Sequence, residues 1–297
     1  MLFRSHLIFF INSNTLKITI LLILQRKYFK SQIFVIVKIV MKIVIAALVR
    51  GYKDTASYSN LIKRNKYIKK NITSKIKYPY ELLIFHEGNI PEKHQQYINS
   101  KSPEVYSFID VSEDFKFDKS IISEVPDLER FNIGYRLMCR FNFFHIWKYV
   151  NKYDFLIRID EDVIVKKFSK SLLDNLSNNF IFGTADLSSE SHEYTNISLP
   201  EELKKIFDST DTDFYNHLFP YTNFYISNIE FWNNNDIQIL LREISSNKLQ
   251  LIHRWGDLPI IGSILNFKNI EIKILKGISY SHLSHKNRFK ITKKIKS

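Results

Sequence analysis

Apolar runs and helical stripes alternate along residues 41–285. "KIVIAALV" (42–49) is an almost unbroken apolar run and predicts a buried strand. "ASYSNLIKRNKYIKKNI" (56–72) has apolar residues at helical spacing and a Lys-rich outer face, which predicts a helix. "YELLIF" (80–85) reads as the next strand. Residues 128–150 lack proline and are dense in aromatics, predicting a largely buried helix, and "DFLIRI" within 153–165 predicts a strand after it. Strand, helix and strand in succession imply a right-handed crossover, hence an α/β fold with a mainly parallel sheet flanked by helices.

The formal charge of +13 changes little in this picture, because it sits at the two ends. Residues 1–40 and 286–297 each carry Lys and Arg without a single acid, which leaves residues 41–285 close to neutral. A nucleic-acid binder carries its basic stripe on the folded body, so this distribution argues against nucleic acid. Residues 41–285 are therefore expected to be one catalytic domain, with 286–297 a basic tail. Residues 7–24, "LIFFINSNTLKITILLIL", are apolar but interrupted by Asn12, Asn14 and Lys17, a poor transmembrane pattern. Residues 1–40 read equally as a membrane anchor and as an extension upstream of a start at Met41. One cysteine, Cys139, excludes an intramolecular disulfide and leaves the compartment open.

Candidate chemistry gathers at "YDFLIRIDEDVIV" (153–165), where a buried strand ends in Asp160, Glu161 and Asp162. Ligands of open α/β sheets collect outside the carboxyl ends of strands. Residues i and i+2 of an extended segment face the same way, so Asp160 and Asp162 would offer two hard oxygen donors to Mg²⁺ or Mn²⁺, and through it a diphosphate. Downstream, Glu230 lies among aromatics in "FPYTNFYISNIEFW" (219–232). Arg254, Trp255 and Asp257 share a turn into an apolar helix, with Asp257 a candidate cap and Pro259 near its first position. His282 and His285 close the neutral body.

Taken together, "ALVR" (47–50), "GYRLMCRF" (134–141), "YDFLIRIDEDV" (153–163), "SNIEFW" (227–232), "RWGDLP" (254–259) and "YSH" (280–282) resemble, in order, the motifs of the fungal α-1,2-mannosyltransferases, glycosyltransferase family 15. The resemblance implies a GT-A type nucleotide-sugar glycosyltransferase fold, GDP-mannose as donor, Mn²⁺ as cofactor, and retaining transfer to a mannose 2-hydroxyl of a glycan. By position it implies Asp160 and His282 at the metal; Glu230 as nucleophile or stabiliser of the transition state; and Tyr135 and Arg136 beside the donor sugar. It further implies Arg50 and Asp162 toward the nucleotide, Asp257 as the group that orients or deprotonates the acceptor hydroxyl, and Arg254 and Trp255 on the acceptor side. It places the family in secretory-pathway membranes; a cytoplasmic location is the alternative.

The chain departs from the family where Asp160 replaces a glutamate and Glu161 a proline, and in lacking paired cysteines. "NIT" (71–73) and "NIS" (196–198) are glycosylation tripeptides. A transferase for another nucleotide sugar or acceptor, and a non-catalytic carbohydrate-binding scaffold, stand as alternatives.

Overall fold

The computed structural model describes residues 41–177, 179–216 and 218–283, and upstream of these only Ile20–Leu21 and Ile36–Val37, which pair antiparallel with each other. The expectations for residues 1–40 as an anchor or extension and for the tail 286–297 fall outside the described residues, apart from those two short strands. Met1–Val40 and Met41–Ser297 are separate compact units. Among the described residues no helix is long and apolar enough to cross a membrane.

The body is built on seven strands: β1 (Ile43–Leu48), β2 (Tyr80–His86), β3 (Ser107–Asp110), β4 (Phe155–Ile159), β6 (Phe182–Thr184), β7 (Phe224–Asn228) and β8 (Ile272–Ile274). Their order is β8-β6-β7-β4-β1-β2-β3. The predicted strand-helix-strand unit is β1, α1 (Ser59–Asn71) and β2; α2 (Glu92–Lys101) leads on to β3, and β1 lies parallel to both β2 and β4. The exception in the centre is β7, antiparallel to both β4 and β6. A second small sheet pairs β5 (Val163–Phe168) with β9 (Ile278–His282), irregular at Ser279/Tyr280.

Alternation along each strand divides the core between the two faces of the sheet. Ile43, Ile45, Phe155 and Ile157 pack toward α1, burying its Leu61, Ile62 and Ile68. Val44, Ala46, Leu156 and Tyr225 face the other way, toward Trp147 and Trp232, whose rings stack 4.9 Å apart. A strand buried on both faces reads as a continuous apolar run, which is why β1, β2 and β4 were visible in the sequence.

The buried helix expected over 128–150 begins later, at Ile133. Asn132 caps it by accepting from the Tyr135 amide at 3.0 Å. This helix, α3 (Ile133–Arg140), continues through a wide π turn at Phe141–His145 into Ile146–Val150. Helix α4 (Glu193–Ile206) follows β6, α5 (Asn235–Ser246) follows β7, and the apolar α6 spans Asp257–Phe267. Gly256, not Asp257, is the cap of α6; Asp257 is its first residue, so its carboxylate is free of capping duty. Both glycosylation tripeptides have their asparagines engaged: Asn71 donates to the Val165 carbonyl, and Asn196 donates to the Glu190 carbonyl and accepts from the Tyr215 hydroxyl.

Candidate active site

Strands β1 and β4 end at one rim of the sheet, and antiparallel β7 begins there. A cavity of about 540 Å³ opens at this rim, with Asp160, Glu161 and Asp162 in its wall. The three acids do not form a two-pronged strand end as expected. The strand stops at Ile159, residues 161–162 turn, and β5 begins at Val163, so each carboxylate takes a separate direction and a separate cationic or imidazole partner.

Asp160 meets Arg158, Oδ1 to Nη2 at 2.7 Å. Glu161 accepts from the Arg50 side chain at 2.6 Å and from the Tyr52 hydroxyl at 3.2 Å. Asp162 lies 3.1 Å from Nε2 of His282, which the pairing of His282 with Val163 brings alongside. The turn is fixed from beneath by Arg64 of α1. Its fully buried guanidinium donates to the carbonyls of Ile159 and Asp160 at 2.8 and 3.0 Å. Burial works against that charge and lowers its pKa, opposed in part by the nearby Asp160 and Glu161 carboxylates, and the guanidinium meets the turn through its backbone carbonyls.

Arg158 is the centre of the floor. It projects from β4, 4% exposed, and bridges Asp160 to Asp257, its Nη1 lying 3.1 Å from Asp257 Oδ2 and also donating to the Thr222 carbonyl. Burial opposes its charge, but the two carboxylates outweigh this and raise its pKa. Burial also pushes Asp160 up to about 6, against the pull of Arg158. Arg254, at φ 53, forms the opposite wall; it pairs with Glu190 at 3.0 Å, donates to the Tyr135 hydroxyl at 3.0 Å and lies over the rings of Phe131 and Tyr135.

An oxygen and an imidazole nitrogen 3.1 Å apart, as in Asp162 and His282, match adjacent positions on an octahedral ion with bonds near 2.1 Å, for which about 3.0 Å is expected. This fits Mn²⁺ or Mg²⁺. Among the described residues no group of three or more His, Cys, Asp or Glu is arranged to hold a metal, so other ligands would have to come from a diphosphate and water. The carboxylate beside His282 is Asp162; Asp160, expected as the metal ligand, is turned to Arg158.

His285 falls outside the described residues. Of the residues to which the resemblance gives a role, Arg50, Tyr135, Asp160, Asp162, Arg254, Asp257 and His282 all line the cavity. Three do not. Glu230 is exposed beyond the far end of β7, and because β7 runs antiparallel it is carried to the opposite rim, about 17 Å of strand away at about 3.4 Å per residue. It borders a separate shallow depression with Phe231 and Lys268. Arg136 is fully buried and spends its donors on the carbonyls of Phe131, Leu251 and Ile252 and on Asp127. Trp255 is fully buried, its indole N–H donating to Ser198 at 2.8 Å. Both hold the wall together from behind.

Arg64, Arg158, Asn142 and Glu190 were not found from the sequence. An arginine inside the apolar strand "FLIRI" and another on the apolar stripe of α1 were the available signals: a charge at a core-facing position needs a partner.

No family model matches the chain. In sequence it is 26% identical over 227 residues to the probable mannosyltransferase KTR3 of Saccharomyces cerevisiae, covering 66% of this chain and 51% of that protein. The chain thus spans about half the length of that relative. In structure it is similar to core-mannan synthase A (CmsA/Ktr4) of Aspergillus fumigatus in its Mn/GDP form, with a TM-score of 0.60 at 15% identity over 81% of this chain and 74% of that one. The GDP complex of the mannosyltransferase Ktr4p of S. cerevisiae gives a TM-score of 0.60 at 17% identity, over 82% and 71%. This chain resembles the fungal family 15 mannosyltransferases. Its fold is GT-A, as the sequence resemblance implied. In that GT-A frame the cavity occupies the strand-end crevice where α/β sheets take their ligands.

Proposed function

We propose that this chain is a mannosyltransferase that moves mannose from GDP-mannose to a mannose hydroxyl of a glycan, retaining the α configuration and forming an α-1,2 linkage. The observation that carries this reading is the single cavity where Asp162, His282, Arg50, Arg158 and Asp257 converge at the strand ends. Relatives named as mannosyltransferases, one solved with GDP and one in a Mn/GDP form, support the choice of donor.

Asp162 and His282 are the residues that would hold Mn²⁺, which when bound neutralises charge building on the departing diphosphate. Arg50, exposed at the mouth and paired with Glu161, adds a cation on the nucleotide side. Asp160 and Asp257 present negative charge across Arg158 to the positive charge developing on the sugar ring. Asp257 is held to Arg158 through one oxygen, leaving the other to orient and deprotonate the acceptor hydroxyl. Tyr135, fixed by Arg254, lies in the wall where the donor and acceptor sugars would meet. With Glu230 at the opposite rim, attack through that residue is set aside, and same-face attack within an ion pair is the route adopted.

The test is transfer of labelled mannose from GDP-mannose to methyl α-mannoside by the full chain with Mn²⁺, followed by NMR of the product. An α-1,2-linked disaccharide is expected. Transfer with inverted configuration, or from UDP-sugars in preference, overturns the reading.

A further inference from the structure

Helix α3 presents Tyr135, Met138 and Asn142 to the cavity at spacings of three and four residues, one helical stripe. The last of these sits in the π turn Phe141–His145, the wide turn that shifts the stripe locally. Asn142 is fully buried, and neither its Oδ1 nor its Nδ2 has a hydrogen-bond partner. Every other cavity-lining Asn, Asp, Glu, His or Tyr named above has a bonding partner in the protein. A buried carboxamide left unpaired within the protein is destabilising at both ends, and a fold keeps such a group where something outside the chain completes it. In the same lining, Nε of Arg158 and Nε of Arg254 are likewise buried without a partner.

On the reading under Proposed function, we infer that Asn142 is a specificity-determining residue that hydrogen-bonds a hydroxyl pair of a pyranose ring seated in the cavity. The chemistry matches: a carboxamide offers one acceptor and one donor side by side, and adjacent sugar hydroxyls each donate and accept. No hydrogen bond holds the carboxamide in place, so a shift of its end toward a ligand breaks no hydrogen bond within the protein. A site built to pair a sugar hydroxyl rejects ligands lacking it more strongly than an apolar pocket can. The sugar is either the donor hexose or the acceptor, and the two are separable by experiment.

The experiment is calorimetry on the full chain with Mn²⁺, using GDP, GDP-mannose, and methyl α-mannoside in the presence of GDP, for wild type and Asn142→Leu. Leucine has nearly the same size and removes both unpaired groups. The expected result is unchanged GDP affinity, a loss of about tenfold or more in one of the two sugar arms, and a melting temperature equal to or above wild type. Loss in the GDP-mannose arm assigns the donor sugar, and loss in the mannoside arm the acceptor. Equal affinities in both arms, or an equal loss in the GDP arm, overturn the inference. Should Asn142→Leu not fold, Asn142→Ala is read by the same criteria. A wild-type chain that binds no GDP overturns the proposed function and this inference together. A wild-type chain that binds the sugars regardless of residue 142 overturns this inference alone.

Discussion

Arg158→Met tests the idea that one buried cation organises the floor of the site. Arg158 is 4% exposed and lies within 2.7 Å of Asp160 and 3.1 Å of Asp257. Methionine fills much the same volume but leaves two carboxylates facing each other without a counter-ion. Breaking a buried pair by removing one partner costs about 3–5 kcal/mol. In a body of this size each kcal/mol moves the melting temperature by roughly 2–4 °C, so a fall on the order of 10 °C is expected at pH 8. Burial already raises the Asp160 carboxyl against the pull of Arg158, so without the guanidinium it binds its proton still more readily when folded than when unfolded. Stability then rises as pH falls, and the deficit shrinks at pH 5. Adding Asp257→Asn removes one of the opposed charges and is expected to restore about half of the loss, a coupling that a double-mutant cycle reads directly. Thermal melts of wild type, both single variants and the double variant at the two pH values decide it. A loss under about 1 kcal/mol, or a larger loss that neither pH nor Asp257→Asn relieves, would show that Arg158 acts through packing and not charge.

Three further outcomes follow from the same structure. Cys139 is fully buried and burial pushes its thiol up to about 12, so native protein is expected to resist iodoacetamide at pH 8 and to be labelled only at the rate of unfolding; rapid labelling would contradict its placement. Burial holds His145 down to about 4, below the unfolded value, so its contribution to stability is present above about pH 6.5 and is lost as pH falls toward 4. His145→Gln is expected to flatten the pH dependence of the melting temperature over that window. Glu230→Gln is expected to leave transfer activity within about twofold of wild type, whereas Asp257→Asn lowers kcat by about a hundredfold or more, as loss of a general base does.

The chain pattern carried the frame of the molecule because the central strands are buried on both faces and have no polar alternation to obscure them. The runs 42–49, 80–85 and 154–159 became Ile43–Leu48, Tyr80–His86 and Phe155–Ile159. Strand ends then placed the acidic triplet at the rim where the cavity opens. What failed was direction. Nothing local distinguishes a parallel from an antiparallel buried strand, and the reversal of β7 alone sends Glu230 to the wrong end of the sheet. Short motifs likewise mark neighbourhood without orientation. In "YR" (135–136) and "RW" (254–255) one residue of each pair faces the cavity and its neighbour is locked behind the wall. Arg64 and the Asp257 half of the Arg158 bridge depend on partners about a hundred residues away, which no window of sequence displays.

The central claim is that Asp162 and His282 form the protein half of a metal-diphosphate site. Thermal stabilisation of the full chain by GDP with Mn²⁺, by GDP with EDTA and by UDP with Mn²⁺ tests it, alongside Asp162→Ala and His282→Ala. At a hundred times its dissociation constant a ligand stabilises by about 2.7 kcal/mol, a rise of roughly 5–10 °C here. That rise is expected with GDP and Mn²⁺ and is expected to vanish with EDTA or with either substitution. Equal stabilisation with and without metal, or in both variants, would contradict it.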